Sequence, residues 1–81
     1  MSKRDKLLLA ARNNPGNLRF AELRRLAEDH GFVFARQSGS HAVYKRPGHI
    51  GVMTFQDDRG KAKGYQVRQL IAAIDELESN I

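Results

Sequence analysis

The residues best able to do chemistry stand together near the middle of the chain, in Arg36-Gln37-Ser38-Gly39-Ser40-His41-Ala42-Val43-Tyr44-Lys45-Arg46. Imidazole, with an ordinary pKa of about 6.5, is the side chain that both takes and gives a proton near neutral pH, so His41 is the candidate acid or base. The serines beside it lack the third orienting group of a hydrolytic triad. The chain has no cysteine for thiolate chemistry, and it carries no Walker or dinucleotide glycine pattern. Asp57 and Asp58 are adjacent, so their carboxylates point in different directions, and they match no calcium-loop spacing. No metal and no cofactor is therefore expected.

The elements that must hold His41 follow from pattern. Phe32 to Gln37 reads as a first strand and His41 to Arg46 as a second, joined by a tight turn at Gln37 to Ser40. Arg46-Pro47-Gly48-His49 fits a type II turn, with His49 exposed at its tip, and a third strand runs from Ile50 to Phe55. Period-two alternation puts His41, Val43 and Lys45 on one face and Ala42, Tyr44 and Arg46 on the other. Neither set is cleanly apolar, so alternation leaves open which face meets the helices.

Ahead of the strands, Ser2 with Asp5 resembles a capping box for a helix from Lys3 to Arg12, which Pro15-Gly16 ends. A second helix has Phe20, Leu23, Leu26 and Ala27 as its apolar face, with Asn17 as the better N-cap by chemistry. Gly31 and Phe32 suit a Schellman close, and His30 suits the negative end of that helix. After a polar loop from Gln56 to Gly64, the spacing of Val67, Leu70, Ile71, Ile74, Leu77 and Ile81 predicts a long amphipathic helix. The order α-α-β-β-β-α implies an α+β fold: a three-stranded antiparallel sheet with helices packed on one face and the other face open. Residues 1–81 make one domain, with 1–18 as a lead-in helix and loop.

The charge is uneven. The net value is +5, but residues 65–81 hold one cation, Arg68, against three acids, Asp75, Glu76 and Glu78, so residues 1–64 carry +7. A basic body suits a polyanion partner, although mild basicity also serves solubility. The apolar run near the start is too short for a signal peptide or a membrane span, so a soluble, unexported chain without membrane contact is expected, and the absence of cysteine suits a reducing cytoplasm.

Helix, Gly31-Phe32, a strand ending in Arg36-x-x-Gly39-Ser40-His41, a second strand with Tyr44, a third strand, a basic loop and Tyr65-Gln66-Val67-Arg68 opening a helix together resemble the HicA family. These are small toxins of bacterial toxin–antitoxin modules. The resemblance covers about 19–75 and implies a fold like a double-stranded RNA-binding domain. It also implies a ribonuclease that cuts messenger RNA, a catalytic histidine at His41, and a HicB-type antitoxin that covers the site. The chain departs from the family pattern at Ala42, where a second histidine is common, and at Gln56-Asp57-Asp58, where many members place a histidine.

RNA cleavage without metal needs a base for the 2′-hydroxyl, positive charge at the phosphorane, and a proton for the leaving 5′-oxygen. His41 is the candidate for proton transfer. Arg36, Lys45, Arg46, Lys61 and Lys63 are candidates for phosphate, and Ser38, Ser40 and Tyr44 complete the expected RNA-binding set, Tyr44 also being a weak proton carrier. The alternative is a non-catalytic RNA-binding module of the same fold. A DNA-binding use of Arg24 and Arg25 on the second helix is less compatible with the strands that follow.

Overall fold

The computed structural model describes residues 2–79. Its order is α1 (Lys3–Asn13), a 3-10 turn (Pro15–Asn17), α2 (Phe20–Asp29), β1 (Val33–Ser38), β2 (His41–Lys45), β3 (Met53–Gln56) and α3 (Gly64–Ser79). The strands form one antiparallel sheet in the order β1-β2-β3, the expected α+β arrangement.

Helix boundaries follow local chemistry. The Ser2 hydroxyl accepts the Asp5 N–H at 3.1 Å and starts α1. Asn17 does not cap α2. It sits in the 3-10 turn, because Pro15 tightens that segment, and Arg19 is the cap residue, its N–H donating to the Glu22 carboxylate at 2.9 Å. The end of α2 is the expected Schellman close. The Phe32 N–H donates to the Ala27 carbonyl and the Gly31 N–H to the Glu28 carbonyl, with Gly31 at φ +89°, where a glycine escapes the Cβ penalty. Phe32 is thereby turned into the core. His30 occupies the cap position, buried, with Nδ1 3.3 Å from Glu78 Oε1 of α3.

The core settles which sheet face meets the helices. Ala42, Tyr44, Met53 and Phe55 join Leu23, Leu26, Ala27, Val67, Leu70 and Ile74 in one buried cluster. A fully buried leucine of this kind contributes about 1.5–3 kcal/mol, so Leu23→Ala or Leu70→Ala would remove a large part of a small domain's stability. Ala11 of α1 is also fully buried, and Leu7 and Leu8 pack against the cluster. α1 packs mainly on α2 and α3, where the Arg12 guanidinium grips both carboxylate oxygens of Asp75, one of them at 2.9 Å. Ile81, the last position of the expected apolar stripe, lies outside the described residues.

Two expectations about the β2–β3 connection change. β3 begins at Met53 and not Ile50, because Gly51 takes φ +84° and breaks the extended run, leaving Ile50 97% exposed. The type II turn forms, with the His49 N–H donating to the Arg46 carbonyl, but His49 is half-buried, its ring 5.6 Å edge-on from Phe32. Among the described residues no helix is long and apolar enough to cross a membrane.

Candidate functional site

His41 opens β2 directly after a two-residue turn, Gly39-Ser40, tighter than the sequence suggested. Gly39 has φ +58° while Ser40 is not left-handed, the signature of a type II′ hairpin turn, which matches the twist of the flanking strands. The turn is held from the other side, where the Asp57 N–H donates to the Ser40 carbonyl at 2.8 Å. The β3–α3 loop, which carries Lys61 and Lys63, is thus tied at its start to the hairpin tip.

Ladder partners share a face. His41 pairs with Ser38 and Gln56, Val43 with Arg36 and Thr54, and Lys45 with Val33. These are the residues of the face away from the helices. Val43 is 5% exposed although it stands outside the core cluster. His41, Arg36, Ser38 and Lys45 are exposed. None of the three strands contains an acid, and the first carboxylates at the His41 end are Asp57 and Asp58, directly after β3.

Arg36 reaches this face through a β-bulge. Phe34 pairs with Tyr44 and Arg36 with Val43, so Ala35 is the extra residue. In a regular strand Phe34 and Arg36 would point the same way. The bulge sends Phe34 to the helix side, where its ring meets Tyr44 edge-on at 5.7 Å, and sends Arg36 to the His41 side.

The expected RNA-binding set is not all brought together. Tyr44 must be removed from it. It is fully buried on the helix side, its hydroxyl accepting from Arg24 Nε at 2.8 Å and donating to Glu28 Oε2 at 3.0 Å. Burial pushes its pKa up, against the pull of the Arg24 guanidinium, so it is a poor proton carrier as well as an inaccessible one. Arg46 is also misplaced by the sequence reading. It follows the far end of β2 and lies across Gly31, whose ideal Cβ would come within 2.7 Å of Arg46 Nε. Lys45 shares the face of His41 but stands four residues along the strand, about 13 Å away. Ser40 is an exposed turn residue, Lys63 pairs with Asp58 at 3.2 Å, and Lys61 is exposed beside Arg19. Arg24, hydrogen-bonded to Tyr44 and over the Phe34 ring at 5.3 Å, is engaged in packing, which leaves only Arg25 of the pair suggested for DNA binding exposed.

Gln66 is a supporting residue that sequence reasoning did not single out. It is buried, and its Oε1 accepts the Gln56 N–H at 2.7 Å, fixing the end of β3 directly opposite His41. Its signal was a polar residue beside Val67 on the inward side of an amphipathic helix. Among the described residues, no three His, Cys, Asp or Glu side chains gather as a metal site would require.

The comparison with protein families matches residues 20–75 to the model described as the HicA toxin of bacterial toxin–antitoxin systems. No curated protein and no solved structure gives a match. The match starts at α2 and ends within α3, so it takes in the whole sheet, the His41 turn and the β3–α3 loop, and leaves α1 outside. A histidine at position 42, common in the family, would here project toward the helices, since Ala42 is fully buried in the core. With most of the chain covered, and with the α-β-β-β-α order of the matched segment, the protein belongs to the HicA toxin family and has an antitoxin as its implied partner.

Proposed function

We propose that this toxin is a metal-independent ribonuclease that cuts messenger RNA in the cytoplasm, with His41 as general acid or base, and that a HicB-type antitoxin restrains it. The supporting observation is one exposed imidazole on a sheet whose strands contain no acid, on the same face as Arg36 and two ladder positions from it. On this reading His41 takes the proton of a ribose 2′-hydroxyl, whose oxygen attacks the adjacent phosphorus. The P–O5′ bond breaks, and the 5′-oxygen leaves with a proton from His41 or water. The products are a 2′,3′-cyclic phosphate and a 5′-hydroxyl. Arg36 and Lys61 offset the charge of the phosphorane, and Ser38 and Ser40 supply hydroxyls to the phosphate. Lys45 and Lys63 hold the strand on either side.

The test is cleavage of a long unstructured RNA by wild type and His41→Ala, with and without EDTA, alongside binding by both. Loss of about 10² to 10⁴ in rate for His41→Ala, with binding retained and EDTA without effect, is the expected result. The second reading, a non-catalytic RNA-binding module, is favoured by the positions of the other two histidines: His30 is buried against α3 and His49 packs on Phe32, so neither lies in the strands that form the His41 face. If both proteins bind and neither cuts, that reading holds and the catalytic role of His41 is wrong.

A further inference from the structure

A second cationic feature lies beyond the sheet face. A cleft of about 840 Å³ opens between the C-terminal end of α1 and the β3–α3 loop, lined by Arg19, Arg59 and Lys61 and by Asn13, Asn14 and Asn17. We infer that this cleft is a second phosphate-binding site, which carries a single-stranded RNA beyond the His41 face; the inference rests on the ribonuclease reading above.

The wall that bears the cations is rigid. The Phe20 N–H donates to the Gly60 carbonyl at 2.9 Å and the Ala62 N–H to the Leu18 carbonyl at 3.0 Å, so residues 18–20 and 60–62 are laced together around the Arg19–Lys61 bridge. The loop turns back at Arg59-Gly60, with Asp58 and Lys61 exchanging both backbone hydrogen bonds at 3.0 Å. Arg59 has φ +56° and Gly60 φ +85°, a type I′ turn, in which Asn-Gly is the favoured pair. Arg59 is the one non-glycine left-handed residue among those described. Such an outlier, held by surrounding hydrogen bonds and aimed at a cleft, points to a use for its side chain.

The electrostatics agree. Asp58 is paired with Lys63, and Glu22, the one acid of the cleft, accepts the Arg19 N–H and keeps its charge, so the lining holds three cations against one carboxylate. Arg19, Arg59 and Lys61 form no ion pair among the described residues. The three asparagines add donors and acceptors suited to ribose and base edges. Lys61 belongs to the loop that the Asp57 N–H ties to the hairpin tip, so a single loop joins the cleft to the turn beside His41.

The test uses binding of a labelled single-stranded RNA to the His41→Ala protein, which leaves the RNA intact, across a series of salt concentrations. Adding Arg19→Gln and Arg59→Asn should weaken binding about tenfold and flatten the slope of log K against log salt by about 1.4, two contacts at about 0.7 each. Arg59→Lys should keep the slope. Asn suits the left-handed position, and a melting curve for each variant confirms folding. Unchanged affinity and slope in a folded double variant overturn the inference and leave the ribonuclease reading standing. So does unchanged RNA binding with a weakened antitoxin complex, which would assign the cleft to the protein partner. If His41→Ala and wild type both bind no RNA, the functional reading falls and the inference with it.

Discussion

His41 and Gln56 are ladder partners on the same face, and Gln56 is held by the buried Gln66. Gln56 also opens the segment Gln56-Asp57-Asp58, where the resemblance leads one to expect a histidine. Installing Gln56→His would give the face a second group able to move protons at neutral pH, so on the ribonuclease reading cleavage should rise, by up to about 10². Single-turnover rates on the same RNA decide this, and an unchanged or lower rate would show that proton supply is not what limits the enzyme. Arg59 gives a different kind of test. An L-residue in the left-handed region costs about 1–2 kcal/mol, so Arg59→Gly should raise the melting temperature, by about 4–8 °C per kcal/mol relieved in a domain of this size. A fall would mean that Arg59 is held by contacts stronger than its strain. The histidine was legible in the sequence because its type and turn setting are local. Tyr44 was not, since its burial depends on Arg24 and Glu28 from a helix some twenty residues earlier.

At the level of elements, the helix stripes and most caps and turns were readable because each rests on a few neighbouring residues, Ser2 with Asp5, Gly31 with Phe32, Pro47 with Gly48, whereas the α2 N-cap fell to Arg19 and not Asn17. The bulge was not, because nothing in Val33-Phe34-Ala35-Arg36 announces an extra residue. In β2, which has no bulge, alternation grouped the residues correctly and left the faces open only because neither set is cleanly apolar. Deleting Ala35 should be tolerated, since Phe34 opposite Tyr44 and Arg36 opposite Val43 already form a regular register without it. Deleting Gln37 should not, because it moves Arg36 opposite Ala42 and onto the core side. Denaturant midpoints and RNA cleavage of the two deletions check this, and equal damage from both would refute the assignment of Ala35 as the extra residue. The Tyr44 hydroxyl links β2 to α2 and carries a pH signature. Its folded pKa is raised above the ordinary 10.0 by burial, so its contribution is intact below that value and is lost as pH rises through the folded pKa. Stability should therefore decline above about pH 10, and less steeply in Tyr44→Phe, which loses about 1–2 kcal/mol at neutral pH by leaving Arg24 and Glu28 without their shared partner. Parallel decline in both proteins would remove Tyr44 as the cause.

Across the whole molecule, the uneven charge read from the sequence acquires a location. Arg36 and Lys45 lie on the open sheet face and Arg19, Arg59 and Lys61 line the cleft, while the acids of α3 serve partly to fasten other elements, Asp75 to α1 through Arg12 and Glu78 to the end of α2 through His30. α1 is the part the family match leaves out, yet it buries Ala11 in the shared core and forms one wall of the cleft. Its attachment was hidden in the sequence, because Arg12 and Asp75 are 63 residues apart. The hydrogen bonds from Arg12 hold the Asp75 carboxyl below its ordinary value of 3.8. A depressed carboxylate stabilises the fold above the unfolded pKa and loses that contribution as pH falls through the folded one. Arg12→Gln should therefore lower stability at pH 7 by no more than about 1 kcal/mol, the pair being half exposed and screened by solvent. The difference from wild type should close once Asp75 is protonated in both states, well below pH 3.8, and shrink in high salt at pH 7. Urea midpoints of the two proteins at pH 7 and at pH 2 to 3 measure it. A gap that persists at acid pH would mean that the Arg12 side chain holds α1 through packing of its stem rather than through its charge.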